Sequence, residues 1–322
     1  MERRNSNMII VSDLVRSYDD FIAVDQLSFE IKHGEIVGLL GHNGAGKTTL
    51  LKMLTGYLEP NGGKIIINGL DMETNRPAIQ KKIGYLPENC PVYPEMTIIG
   101  FLSYVAELHN IKKYERDQVV YRAIVRTALQ EKASEKISTL SRGFRQRVGV
   151  AQAILHEPEI LILDEPTNGL DPSQIQHMRD LIKELAKKAT VIISTHIMQE
   201  VQAVCDRAII MRRGQKVLDA KLDELQSAQQ LLVTVDAKPV HFSAAIKSVA
   251  GISSINYLRQ QENLHYYALQ LDDGCKNNSV APQVAKQIMD NGYQLYTLHQ
   301  EQRDLEILFR EINAQEGGQN ND

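Results

Sequence analysis

The chain has 322 residues, 43% of them hydrophobic, enough for about two domains with packed cores. Its formal net charge of -4, with 8 Lys and Arg against 13 Asp and Glu beyond position 220, excludes the basic excess of a nucleic-acid-binding face. No apolar run approaches the roughly 18 residues of a membrane-spanning helix, Met1 to Asn7 hold no signal core, and Cys90, Cys205 and Cys275 are too scattered for a metal site or disulfide framework.

The first 30 residues alternate apolar and polar, as in Ser28-Phe29-Glu30-Ile31, which predicts an antiparallel sheet with one wet face. Ile36-Val37-Gly38-Leu39-Leu40 is continuously apolar and predicts a strand buried on both sides. It runs into Gly41-His42-Asn43-Gly44-Ala45-Gly46-Lys47-Thr48-Thr49, the pattern G-x4-GK[ST], at the head of a predicted helix over 47–57. Between a strand and a helix, such a loop closes backbone N–H groups on phosphates, and the helix N-terminus adds partial positive charge. Lys47 is then the contact for the β- and γ-phosphates, and the Thr48 hydroxyl a ligand for Mg²⁺.

Helices predicted over 97–110, 114–130 and 142–156 interrupt the strand–helix alternation, so a helical subdomain of about 90–157 is expected inside an α/β core. Ile160-Leu161-Ile162-Leu163-Asp164-Glu165 predicts a second buried strand ending in two acids. At the C-terminal end of a parallel strand both can reach the crevice where α/β proteins bind ligands. Asp164 suits Mg²⁺, and Glu165 suits a general base for an attacking water. A helix over 173–188 follows Asp171-Pro172, a favourable opening, and Val191-Ile192-Ile193 predicts the next strand. Beyond about 220 the order β-α-β-β-α-β, up to position 299, fits a small ferredoxin-like α+β domain over 221–314. It carries a last helix over 303–312, and a disordered tail is expected over 315–322.

Leu140-Ser141-Arg142-Gly143-Phe144-Arg145-Gln146-Arg147 resembles the signature LSGGQ-x-x-R of ABC nucleotide-binding domains. Asn168-Gly169-Leu170-Asp171 resembles the D-loop, and Ser194-Thr195-His196 ends a strand where the family has its switch histidine. Ile83-Gly84-Tyr85-Leu86-Pro87-Glu88 resembles the Q-loop, and Tyr18 stands where the family stacks an aromatic on adenine. The resemblance covers about 1–220. It implies a P-loop NTPase core with an antiparallel β subdomain and an inserted helical subdomain, and an ATPase that uses ATP and Mg²⁺. Lys47, Glu165 and His196 are the implied catalytic residues. The nucleotide is held by Tyr18, the loop 41–49, Ser141 and Gly143, and Mg²⁺ by Thr48, Asp164 and Glu88. Ser141 and the N–H groups of its helix make a second anion site. In this family that site faces the γ-phosphate on the other subunit, which implies a head-to-tail homodimer with ATP between two copies.

Two departures stand out: Arg142 and Phe144 replace Gly and Gln of the signature, and Glu88 replaces the Q-loop Gln. An acid at 88 adds negative charge near Glu165, which raises a carboxyl pKa and favours slow hydrolysis by the isolated subunit. Both departures, with Pro91-Val92-Tyr93-Pro94-Glu95-Met96-Thr97, resemble the ABC-2 export branch, the ATPases of drug resistance, nitrous-oxide-reductase maturation and gliding motility. That branch implies a separate ABC-2 type membrane permease, docked near 88–101, and a place on the cytoplasmic face of the membrane. The alternatives are an importer ATPase with a ligand-sensing C-terminal domain and a non-transport ABC ATPase. The C-terminal domain could serve as a dimerisation surface, a regulatory contact or a stabilising appendage.

Overall fold

The computed structural model describes residues 7–223, 230–272 and 277–301. The chain divides into two compact units, Met1–Leu222 and Asp223–Asp322.

The first unit begins with the paired strands β1 (Asn7–Tyr18) and β2 (Phe21–Lys32). The strand β3 (Ile36–Leu40), buried at every residue, leads into helix α1 (Lys47–Leu54). Then come β4 (Gly62–Ile67), β5 (Leu70–Asp71), α2 (Met72–Gln80) and β6 (Ile83–Leu86). Three helices follow: α3 (Ile98–Leu108), α4 (Lys113–Arg126) and α5 (Arg142–Ile154). The chain returns through β7 (Ile160–Asp164), α6 (Pro172–Ala186), β8 (Thr190–Thr195), α7 (Met198–Val204), β9 (Arg207–Arg212) and β10 (Gln215–Lys221).

Two sheets result. One is antiparallel, in the order β2-β1-β4-β5, and the other has the order β10-β9-β3-β8-β7-β6. In the second, β9, β3, β8, β7 and β6 are parallel neighbours, and only the edge strand β10 runs the other way. Central parallel strands are covered on both faces, which is why β3 and β7 carry no polar residue before Asp164. Helices α3, α4 and α5 enclose their own apolar cluster around Phe101, Leu102, Ile124 and Leu140. Helix α5 is apolar on two faces: Val148, Ala151 and Leu155 join that cluster, while Val150, Ala153 and Ile154 pack with Leu161 and Leu163 of the sheet. It therefore bolts the inserted helices to the α/β core.

The second unit has β11 (Gln230–Val235), α8 (Pro239–Ile246), β12 (Ile252–Gln261), β13 (Leu264–Leu271), α9 (Asn277–Asp290) and β14 (Leu295–Glu301). Its antiparallel sheet has the order β12-β13-β11-β14, the ferredoxin-like arrangement, over a separate core that includes Phe242, Tyr267 and Val284. Helix α8 opens at Pro239, because proline is preorganised for the first helical position. The helix expected over 303–312 and the tail expected over 315–322 lie outside the described residues.

Candidate active site

Strands β3, β7 and β8 are adjacent and parallel, with Leu40 opposite Thr195 and Asp164 opposite Ser194. Their C-terminal ends therefore open on one crevice. Directly after β3 the chain turns through 41–46. Gly44 and Gly46 have φ of +83° and +101°, and a Cβ on Gly46 would overlap the carbonyl of Ala23. Only glycine suits that position. No side chain caps the start of α1 at Gly46, so the first-turn N–H groups of a short helix are left for a ligand.

Lys47, only 6% exposed, donates its ammonium to the carbonyls of Gly41 at 2.6 Å and His42 at 3.2 Å. Burial pushes its pKa down, and Glu165, Asp164 and Glu88 pull it back up. The Thr48 hydroxyl donates to Asp164 Oδ2 at 3.0 Å, and the Ser194 hydroxyl donates to Oδ1 at 2.6 Å. Both carboxylate oxygens of this buried acid are thus fixed by neighbouring elements.

β7 stops at Asp164, and Glu165 takes a left-handed backbone with φ +50°. Simple alternation would send two successive side chains to opposite faces of the sheet. The turn brings Glu165 to the same crevice as Asp164 instead. Its N–H donates to the Ser194 carbonyl at 3.0 Å, and its own carbonyl accepts from Gln146 Nε2 at 3.4 Å. The Glu165 carboxyl lies 3.0 Å from His196 Nδ1 and 3.9 Å from Lys47 Nζ. Burial raises its pKa, His196 and Lys47 oppose the rise, and Asp164 adds to it. The neighbouring acid that raises this carboxyl is therefore Asp164, while the charge of Glu88 acts on Lys47.

Tyr18, His42, Asn43, Gly44, Gly46, Lys47, Thr48, Thr49, Glu88, Asp164, Glu165 and His196 line a single cleft of about 340 Å³. Gly41 and Ala45 close the loop from behind, where a Cβ on Gly41 would lie 2.6 Å from the Met211 carbonyl. Ser141 and Gly143 do not line this cleft. Ser141 caps α5, accepting from the Phe144 N–H at 3.4 Å, and Gly143 lies so close to Gln174 that a Cβ there would overlap its side-chain oxygen.

The cleft also contains Phe21, Ala23 and Asn168, which sequence reasoning did not assign to the site. Phe21 had a signal. Asp19-Asp20 is a two-residue turn with φ +47° at Asp19, and it sets Phe21 directly across from Tyr18. The two rings are 59% and 42% exposed, and the Arg16 guanidinium lies 4.9 Å from the Tyr18 ring centroid. Thr48, Asp164 and Glu88 offer oxygen donors, which suit a hard cation such as Mg²⁺. Among the described residues no three His, Cys, Asp or Glu gather into a metal cage.

Residues 24–168 match the family model described as ABC transporter. The chain is 41% identical over 214 residues to the ABC transporter ATP-binding protein YdbJ of Bacillus subtilis (strain 168), spanning 65% of this chain and 68% of that protein. It is 34% identical over 310 residues to the bacitracin transport ATP-binding protein BcrA of Bacillus licheniformis, spanning 94% and 96%. Among solved structures, the ATP-binding subunit of an ABC transporter matches with a TM-score of 0.63 at 30% identity, over 68% of this chain and 92% of that one. A phosphate loop, an acidic strand end and a strand-end histidine gathered in one cleft, together with these relatives, place the chain among the ATP-binding subunits of the ABC transporter family, and it is an ATPase.

Proposed function

We propose that this chain is the ATP-hydrolysing motor of an ABC exporter, acting as a head-to-tail pair on a separate ABC-2 type membrane permease at the cytoplasmic face. The observation that carries the catalytic part is the buried Glu165 carboxyl, 3.0 Å from His196 Nδ1 and 3.9 Å from Lys47 Nζ, one residue past Asp164. Tyr18 and Phe21 offer rings for the base of ATP, and the loop 41–46 with α1 cradles its phosphates. Lys47 neutralises the β- and γ-phosphates. Thr48, Asp164 and Glu88 would hold Mg²⁺, which would supply further neutralisation of the phosphate charge. Glu165 takes a proton from the attacking water, and His196 holds that carboxyl in place and steadies charge at the γ-phosphate. Ser141 and Gly143 stand outside this cleft and serve the nucleotide of a second copy. The export reading draws on the likeness to BcrA, a bacitracin transport protein, across both units.

Phosphate release by the purified chain tests the catalytic assignment. Glu165→Gln is expected to slow turnover by about 100-fold or more, the usual contribution of a general base, with ATP still bound. Turnover at the parent rate would contradict the assignment.

A further inference from the structure

Outside the cleft, one buried acid has a place that the reaction so far leaves unused. Glu200, on α7, is 6% exposed. One of its carboxyl oxygens accepts from the Thr167 hydroxyl, and the other accepts from the Thr195 hydroxyl at 2.8 Å. Both threonines are themselves buried. Burying a carboxyl group is costly unless its oxygens are satisfied, and an apolar side chain would fill the same space at less cost. What the acid provides is a fixed link between two segments, one 33 residues and the other 5 residues from it along the chain.

Those two segments carry the reacting pair. Thr167 sits two residues beyond Glu165, in a turn closed by the Asn168 N–H on the Glu165 carbonyl at 3.2 Å. Thr195 immediately precedes His196, and its hydroxyl also accepts from the Ile197 N–H at 3.1 Å, so both neighbours of His196 are tied to one oxygen. We propose that Glu200 is a positioning residue that holds the Glu165 turn and the His196 turn in register, and so sets the 3.0 Å contact between those side chains. The inference rests on the reading of Glu165 and His196 as the hydrolytic pair. Glu200 does not line the cleft. Lys47 and Thr48, which hold the nucleotide in that reading, belong to α1, and Tyr18 belongs to β1. Loss of Glu200 therefore acts on turnover and spares binding.

The test is steady-state ATP hydrolysis by the full chain carrying Glu200→Ala, Glu200→Gln or Thr195→Val, with Glu165→Gln and His196→Ala as controls. Glu200→Ala is expected to lower kcat by roughly 10- to 100-fold, the scale of a small misplacement of a reacting group, and to leave KM for ATP within about twofold. Glu200→Gln keeps one acceptor and adds a donor that a threonine hydroxyl can accept, so it recovers part of the rate. Thr195→Val, nearly the same shape, shifts kcat in the same direction and carries the test if the alanine variant does not fold. Parent-like kcat in Glu200→Ala and Thr195→Val, with both controls slow, would overturn the proposal alone. So would a rise in KM as large as the fall in kcat. Parent-like rates in the two controls would instead remove the hydrolytic pair, and this inference with it.

Discussion

At the scale of single residues, Glu165 combines three properties that each come from position: a left-handed backbone, burial and two basic neighbours. Burial raises its pKa, and the base proposed for it works deprotonated, so the rate is expected to climb with pH through the raised value. The ascending limb of the kcat/KM profile of the parent is expected above the ordinary carboxylate range, near 4.3. A limb inside that range would contradict the burial argument. Gly46 makes a second expectation. With φ +101° and the Ala23 carbonyl in the way, Gly46→Ala must refold the loop. It should cost about 2 kcal/mol in urea unfolding and abolish ATP binding measured by calorimetry. The loop glycines, Lys47, Thr48, Asp164, Glu165 and His196 each stand at or beside a strand end or a helix start, where local pattern can point to a residue. Phe21 was legible only through its turn. Glu200 was not legible, since no sequence pattern links it to the hydroxyls of Thr167 and Thr195, which meet it only after three segments fold together.

At the scale of elements, the strands read well because continuous apolar runs occur only where both faces are covered, as in β3 and β7. Boundaries read less well. Helix α6 begins at Pro172, one residue before the expected start, with the Asp171 carboxylate accepting from the Gln174 N–H at 2.9 Å. The edge hairpin of β9 and β10 is pinned by a charge cluster that no periodicity reveals. Arg207 Nε meets Asp219 at 2.6 Å, and its NH1 donates to the Glu30 carbonyl at 2.9 Å and lies 3.4 Å from Glu35. Burial pushes the Asp219 pKa up, but its bonds to Arg207 and Lys216 outweigh this and hold it low. A carboxyl lowered on folding stabilises above its ordinary range and loses that contribution as pH falls. Arg207→Met is expected to cost about 2 kcal/mol near neutrality, because it removes the guanidinium from two partly buried acids. The gap to the parent should narrow at acid pH, where urea denaturation would show it. An equal gap at both pH values would contradict the assignment.

At the scale of the whole molecule, two units with separate apolar cores follow one another along the chain. A fragment of residues 1–222 contains the entire cleft and its supporting sheets. It is expected to fold by itself and bind ATP with parent affinity, which calorimetry on the purified fragment checks. What the second unit does was not legible, because a ferredoxin-like sheet is used for many purposes and carries no motif here. The placement of Ser141 outside the cleft leads to the central claim, that ATP joins two copies. The direct measurement is the mass of the Glu165→Gln chain in solution, by light scattering on a sizing column, with and without ATP and Mg²⁺. A doubling of mass with nucleotide, which Ser141→Arg prevents, is the expected result. An unchanged mass at saturating ATP, or a doubling that Ser141→Arg leaves intact, would contradict it.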